Sequence, residues 1–263
     1  MGSPASAEGV VTRSLPLLLI VLSLVTALTG CSRENAPEYD YTRVYIDGQG
    51  TLGIVERGAT PKALVVYFHG LDADENVLID DRHKEFIDRL LNSGYAVVAS
   101  NARGNAFGNL ESRHDYQELV RVGRSLYDVS KVYLVAESMG AIAAVDILAE
   151  TNDPEIQRLV AISPFLDFRS APPWGASAID AAYPDDTMMQ SNPIDLAPDR
   201  LTGKQLMFFA SDGDTLVSTA ENADAFRNRF GGVADVTVIP CTGEHVDPSC
   251  FQPEVVLKWL SQD

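Results

Sequence analysis

Basic residues are scarce in this chain. Its 263 residues include 20 Lys and Arg against 37 Asp and Glu, a formal net charge of -17. Nucleic acid is excluded as a partner class, because phosphate binding needs clustered cations. The balance implies a solvated acidic surface instead. Cysteine is scarcer still: Cys31, Cys241 and Cys250 are the whole supply, too few for a disulfide scaffold. There is no internal repeat and no low-complexity tract, which excludes solenoids and other repeat arrays. With 46% hydrophobic and 22% charged residues, the chain is not disordered, and it is long enough to bury a sizeable core.

A long apolar run is also lacking. Leu15–Leu28, preceded by Arg13, is shorter than the roughly 20 residues a membrane span needs. It reads as the apolar region of a secretory signal. The run ends in Leu28-Thr29-Gly30-Cys31, which resembles the lipobox of bacterial lipoproteins. That resemblance implies cleavage before Cys31 and lipidation of its thiol. Residues 1–30 are then a signal peptide, 31–40 a lipidated cysteine and tether, and 41–263 the folded domain. The expected location is the outer face of the cytoplasmic membrane or the cell envelope, with the lipid as the membrane contact. In an oxidising compartment Cys241 and Cys250 remain as an even pair. Their bridge would close a small loop that contains His245.

Downstream, apolar strand patterns alternate with helical ones. Tyr41–Asp47 and Thr51–Glu56 flank the turn signal Gly48-Gln-Gly50, as in a hairpin. Ala63–Phe68 and Tyr95–Ala99 are continuous apolar runs, as in strands covered on both faces. Val132–Val135, Leu159–Ile162, Gln205–Phe209 and Val236–Ile239 complete the set. Helical spacing predicts helices over Asp81–Asn92, Tyr116–Tyr127, Met139–Glu150, Ala220–Arg229 and Glu254–Leu260. Such alternation implies a mostly parallel sheet with helices on both faces. Ligands in these sheets bind beyond the carboxyl ends of the strands.

Those strand ends carry chemistry. Phe68 is followed by His69-Gly70-Leu71, and Val135 by Ala136-Glu137-Ser138-Met139-Gly140. Phe209 is followed by Ala210-Ser-Asp-Gly-Asp214-Thr-Leu-Val217, and Ile239 by the cysteine loop with Gly243-Glu244-His245. The order Ser, Asp, His at successive strand ends resembles the α/β-hydrolase superfamily, from about residue 41 to the C-terminus. Ala136 stands where the family's elbow usually has glycine, but the tight turn requires only a small residue.

The resemblance implies Ser138 as nucleophile, His245 as base and Asp214 as the carboxylate that orients it. The backbone N–H groups of Leu71 and Met139 would hold the oxyanion. Asp214 fits the family's Asp-x-x-Val pattern, while Asp212 and, more remotely, Asp167 are alternative acids. His69 is expected to be structural, and His83 and His114 to sit on the surface. Arg103-Gly104 matches part of a structural family segment, and Phe107 is either a core or a pocket residue. A small cap of about 164–200, containing Phe165, Pro172, Pro173, Trp174 and Tyr183, should shape the pocket. The partner of Glu137 is not legible.

The expected protein is a serine hydrolase of α/β-hydrolase fold that cleaves an acyl ester, needing neither metal nor organic cofactor. A peptidase or acyl-aminoacyl hydrolase is the alternative within this chemistry. A non-catalytic binding lipoprotein on the same scaffold is the alternative outside it. Oligomeric state and substrate identity are not written in the sequence.

Overall fold

Strands β1 (Tyr39–Ile46) and β2 (Gln49–Glu56) form the expected hairpin, with Asp47 and Gly48 at its turn, both at positive φ. It is the antiparallel edge of an eight-stranded sheet. The computed structural model describes residues 37–173, 175–185 and 187–262. The stretch expected to be a signal peptide, Cys31, most of the expected tether and Trp174 lie outside the described residues.

The other strands are β3 (Ala63–Phe68), β4 (Tyr95–Ser100), β5 (Val132–Glu137), β6 (Ile156–Ile162), β7 (Gln205–Ser211) and β8 (Asp235–Cys241). Their order across the sheet is β1-β2-β4-β3-β5-β6-β7-β8, and every pair from β4 onward is parallel. β3, β4 and β5 are buried along their whole length, which is why they read as unbroken apolar runs.

Alternate residues of β3 serve opposite layers. Leu64, Val66 and Phe68 pack with residues of α2 (Leu110–Tyr127), α3 (Gly140–Glu150) and α5 (Ala223–Phe230). Val65 and Tyr67 pack with residues of α1 (Lys84–Asn92) and α6 (Pro253–Leu260). Two helical layers thus sandwich the sheet, the α/β-hydrolase arrangement. Among the described residues, no helix is long and apolar enough to cross a membrane.

Several boundaries move from the sequence expectation. α2 starts at Leu110, six residues before Tyr116, because Asn109 caps it by accepting from the Ser112 N–H at 3.0 Å. Its first turn, Leu110-Glu-Ser-Arg, has a single, exposed apolar residue, so apolar periodicity did not register it. α1 starts at Lys84 rather than Asp81, with Asp80 bonded to the His83 N–H ahead of it. α6 gains Pro253 at its first position, where a missing N–H costs nothing.

Between β6 and β7 the chain forms α4 (Ala176–Ala182) and short helical turns. Phe165, Phe168, Ile179 and Tyr183 from this insertion pack with Phe107, Met139 and Ile142 into a separate apolar cluster. Asn222 underpins it, its buried carbonyl accepting from the N–H groups of Leu166 and Asp167.

Candidate active site

β5 ends beneath the sheet's carboxyl edge, and the chain must reverse there into α3. Ser138 makes that reversal at φ 48, a left-handed conformation costing a non-glycine residue about 1–2 kcal/mol. Its N–H bonds to the Ile162 carbonyl at 2.9 Å, and its own carbonyl accepts from Phe165 and Ala141. Gly140 lets α3 approach: a Cβ there would lie 2.4 Å from the Phe68 carbonyl oxygen and 2.7 Å from that of His69. Ala136 is fully buried.

His245 reaches the same point from the loop after β8. Its Nε2 lies 2.7 Å from Oγ of Ser138, and its Nδ1 lies 2.6 Å from Oδ2 of Asp214. The second carboxylate oxygen of Asp214 accepts from the N–H groups of Leu216 and Val217 at 2.9 and 2.8 Å. Burial opposes ionisation of Asp214, but the His245 hydrogen bond and these two backbone donors outweigh it, so its pKa is lowered. Asp212 is exposed beyond the strand. Asp167 is engaged by Arg169 and Asn192 in the insertion.

Several links fix the loop carrying His245, among them a hydrogen bond from the Thr215 hydroxyl to Glu244 at 2.9 Å. Cys241 and Cys250 are bonded. The Ser211 hydroxyl donates to the Gly243 carbonyl at 2.7 Å. The Val246 N–H donates to the Ser163 hydroxyl at 3.1 Å. Ser163 and Ser211 were not legible as site residues; their only sequence signal is position, each beyond the apolar run of its strand.

The cleft over Ser138 has a volume of about 250 Å³. Phe107, Phe165, Ile179 and Val217 give it apolar walls, while Arg82 and Glu137 lie at a polar side. Leu71 and Met139 line it too. Among the described residues, neither of their backbone N–H groups has a protein acceptor. His69 ties Gly70 to the loop after β4, with ring nitrogens 2.8 Å from the Gly70 carbonyl and 2.9 Å from that of Asn101. Arg103 holds Asp115 at 2.8 Å, and His114 is exposed.

One expectation is corrected. His83 is buried, not at the surface, and is 3% exposed. It shares the spacing of Phe86, Ile87 and Leu90, the apolar face of α1, and that period was the missed signal. Its Nε2 lies 2.6 Å from Glu137, which makes it the partner the sequence did not reveal. Among the described residues, Asp47, His114 and Asp115 form the one group with metal-ligand proximity. They lie outside the cleft lining, and Asp115 is already bound to Arg103.

A family model described as serine aminopeptidase, S33, matches residues 59–237. Among similar solved structures is the Pyrococcus furiosus esterase Pf2001, with TM-score 0.62 and 20% identity over 86% of this chain and 89% of that one. Another is the substrate-bound Staphylococcus aureus fluorophosphonate-binding serine hydrolase FphF, with TM-score 0.62 and 15% identity over 86% and 99%. A third is the Bacteroides ovatus ATCC 8483 protein assigned as a dipeptidyl aminopeptidase IV, with TM-score 0.65 and 14% identity. The match takes in 86% of this chain but 35% of that one, so this chain spans about a third of its length. No curated protein matches the chain in sequence. The structural likenesses, all at low identity, establish the α/β-hydrolase fold. The family model takes in more than half of the sequence, and on that match the chain belongs to the S33 serine aminopeptidase family of serine hydrolases.

Proposed function

We propose that the protein hydrolyses acyl esters through a Ser138–His245–Asp214 triad. The observation that carries this reading is the continuous contact from Asp214 through His245 to Ser138, at 2.6 and 2.7 Å, with Ser138 and His245 on the wall of the cleft and Asp214 behind them. Asp214 accepts from Nδ1–H of His245 and so leaves the Nε2 lone pair facing the hydroxyl. As Oγ attacks the acyl carbonyl, its proton passes to Nε2. The Leu71 and Met139 N–H groups stabilise the resulting oxyanion. The tetrahedral intermediate collapses, the C–O bond to the alcohol breaks, and the leaving alkoxide takes the proton from His245. Water then gives a proton to Nε2 and attacks the acyl-enzyme, and Ser138 recovers its proton as the acid leaves.

An ester is favoured because an alkoxide leaves more readily than an amide anion, and the apolar walls suit an acyl chain. The family description and the dipeptidyl aminopeptidase likeness support a second reading, cleavage of aminoacyl amides. Parallel assays with p-nitrophenyl esters and aminoacyl anilides separate the two. A fluorophosphonate probe should label Ser138 in the folded protein, and failure to label would overturn both enzymatic readings in favour of a binding protein. The lipobox-like Leu28–Cys31 supports an exported protein anchored by lipid on Cys31. Expressed full-length in a bacterium, it should take up labelled palmitate and sediment with membranes, whereas Cys31→Ser should do neither.

A further inference from the structure

A second histidine–carboxylate system lies on the other side of the elbow. Glu137 directly precedes Ser138. Its Oε2 accepts from the Tyr67 hydroxyl at 3.1 Å and lies 2.6 Å from Nε2 of His83. Nδ1 of His83 in turn lies 2.6 Å from Oδ1 of Asp80. The other oxygen of Glu137 packs on Gly70, where a Cβ would stand 2.8 Å from it. The chain Asp80–His83–Glu137 therefore ends on Gly70, adjacent to Leu71, while Glu137 itself lies two positions before Met139.

The proton count at His83 follows from its neighbours. A carboxylate only accepts, and a neutral imidazole has one N–H and one lone pair. Two carboxylate oxygens at 2.6 Å are both satisfied when each ring nitrogen carries a proton. A neutral ring would set its lone pair against one of them, either the exposed Asp80 or Glu137, whose side chain is only 8% exposed.

We propose that His83, as an imidazolium held between Asp80 and Glu137, is a positioning residue that locks the Ser138 elbow to the oxyanion loop, so that turnover falls when His83 loses its proton. This role rests on the triad reading above. Loss of the proton acts in two ways. The clamp joining Glu137 to α1's leading residues weakens beside a serine already held at positive φ. The Glu137 carboxylate, which lines the cleft, also loses its compensating charge and opposes the oxyanion forming next to it. Both effects bear on the transition state more than on substrate binding.

The groups facing His83 set the direction. Asp80 and Arg82 lie on its own segment, Tyr67 comes from β3 and Glu137 from β5. The segment after Cys250 contributes the Phe251 ring, 5.2 Å away edge-on. Burial alone lowers the pKa of His83, but its hydrogen bonds to Glu137 and Asp80 and their charges outweigh this, and the net shift is upward. Burial, reinforced by Glu137, pushes the Tyr67 phenol well up, so it remains a neutral donor. With a folded pKa above the unfolded one, the clamp is fully present below about pH 6.5 and is lost as pH rises through the folded value. Turnover thus needs His83 charged, and the alkaline limb of the profile belongs to His83.

The test measures kcat and KM from roughly pH 5 to pH 10 for wild type, His83→Gln and Glu137→Gln. Glutamine at 83 can still donate to Glu137 but does not titrate. We expect an alkaline limb in the wild type and none in either variant. At neutral pH kcat should fall about 10- to 100-fold, as for misplacement of reacting groups by up to about 1 Å, with KM changed less than about threefold. A wild-type-like alkaline limb in His83→Gln, or kcat within twofold of wild type, would overturn the proposal. Ring nitrogen shifts in ¹⁵N-histidine-labelled wild type give an arm independent of variant folding. Two protonated nitrogens on His83 at pH 7 support the clamp, and a neutral tautomer refutes it. Fluorophosphonate labelling of Ser138 in the same samples tells failure of the clamp from failure of the triad.

Discussion

Asp214→Asn tests the triad sharply, because the backbone dictates how the new amide must lie. Oδ1 of Asp214 accepts from two backbone donors, Leu216 and Val217, and Oδ2 faces Nδ1 of His245. The asparagine carbonyl oxygen has to take the place of Oδ1. The reverse orientation would set an NH₂ group against two N–H donors and leave them unsatisfied, at about 1–3 kcal/mol each. The side-chain NH₂ then points at Nδ1 of His245, which must accept, and the ring proton moves to Nε2. Nε2–H faces Oγ of Ser138 at 2.7 Å and has no lone pair to receive the hydroxyl proton. The expected loss in kcat is about 10⁴-fold, the effect of the same tautomer inversion in Ser-His-Asp hydrolases, equivalent to about 5.5 kcal/mol. KM should change little, because Asp214 is not among the cleft-lining residues. Steady-state hydrolysis of a p-nitrophenyl ester measures both constants. Asp212→Asn is the control and should stay within about twofold of wild type, since Asp212 is exposed and surface changes have small effects. An Asp214→Asn enzyme within tenfold of wild type would refute the assignment. The pH dependence of stability adds a check. The folded pKa of Asp214 is depressed, so its stabilisation is present above the ordinary carboxylate range and is lost as pH falls through the folded value. The difference in Tm between wild type and variant should shrink toward acid pH.

Three other outcomes are expected. Ser138→Ala should abolish ester turnover and fluorophosphonate labelling with Tm unchanged or slightly raised, because alanine loses no core packing; retained turnover would exclude Ser138. Removing the Cys241–Cys250 bridge, whose partners are 9 residues apart in sequence, should cost about 2.5 kcal/mol in the chain-entropy model, read by urea denaturation. Activity of the protein that remains folded should fall less than about tenfold, since the Ser163 and Ser211 hydrogen bonds still hold the loop and such bonds contribute roughly 1 kcal/mol each. Gly140→Ala should reduce stability by about 1–3 kcal/mol or more, because the added methyl meets the backbone oxygens of Phe68 and His69; unchanged thermal unfolding would contradict the packing described.

The sequence determined the sheet, because strands buried on both faces must be continuously apolar. Ala63–Phe68 and Val132–Val135 were therefore readable with no knowledge of their partners, although β5 in fact runs on to Glu137. The order of Ser138, Asp214 and His245 was legible for a related reason: in a parallel sheet every strand delivers its last residues to the same edge. Boundaries set by local polar bonds, such as the Asn109 cap of α2, were hidden from hydrophobic periodicity. Beyond the Ser138, His245 and Asp214 set, tertiary structure decided which polar groups are paired. Nothing local in the Asp80–Lys84 stretch names a partner 54 positions away, yet folding buries His83 against Glu137, and a buried charge must find its opposite. The same holds for Ser163 and Ser211, ordinary serines until β8 brings the His245 loop onto them. Apolar burial depends on a residue's own chemistry and repeats along the chain. Polar pairing depends on two residues and a distance, and only the folded chain supplies the distance.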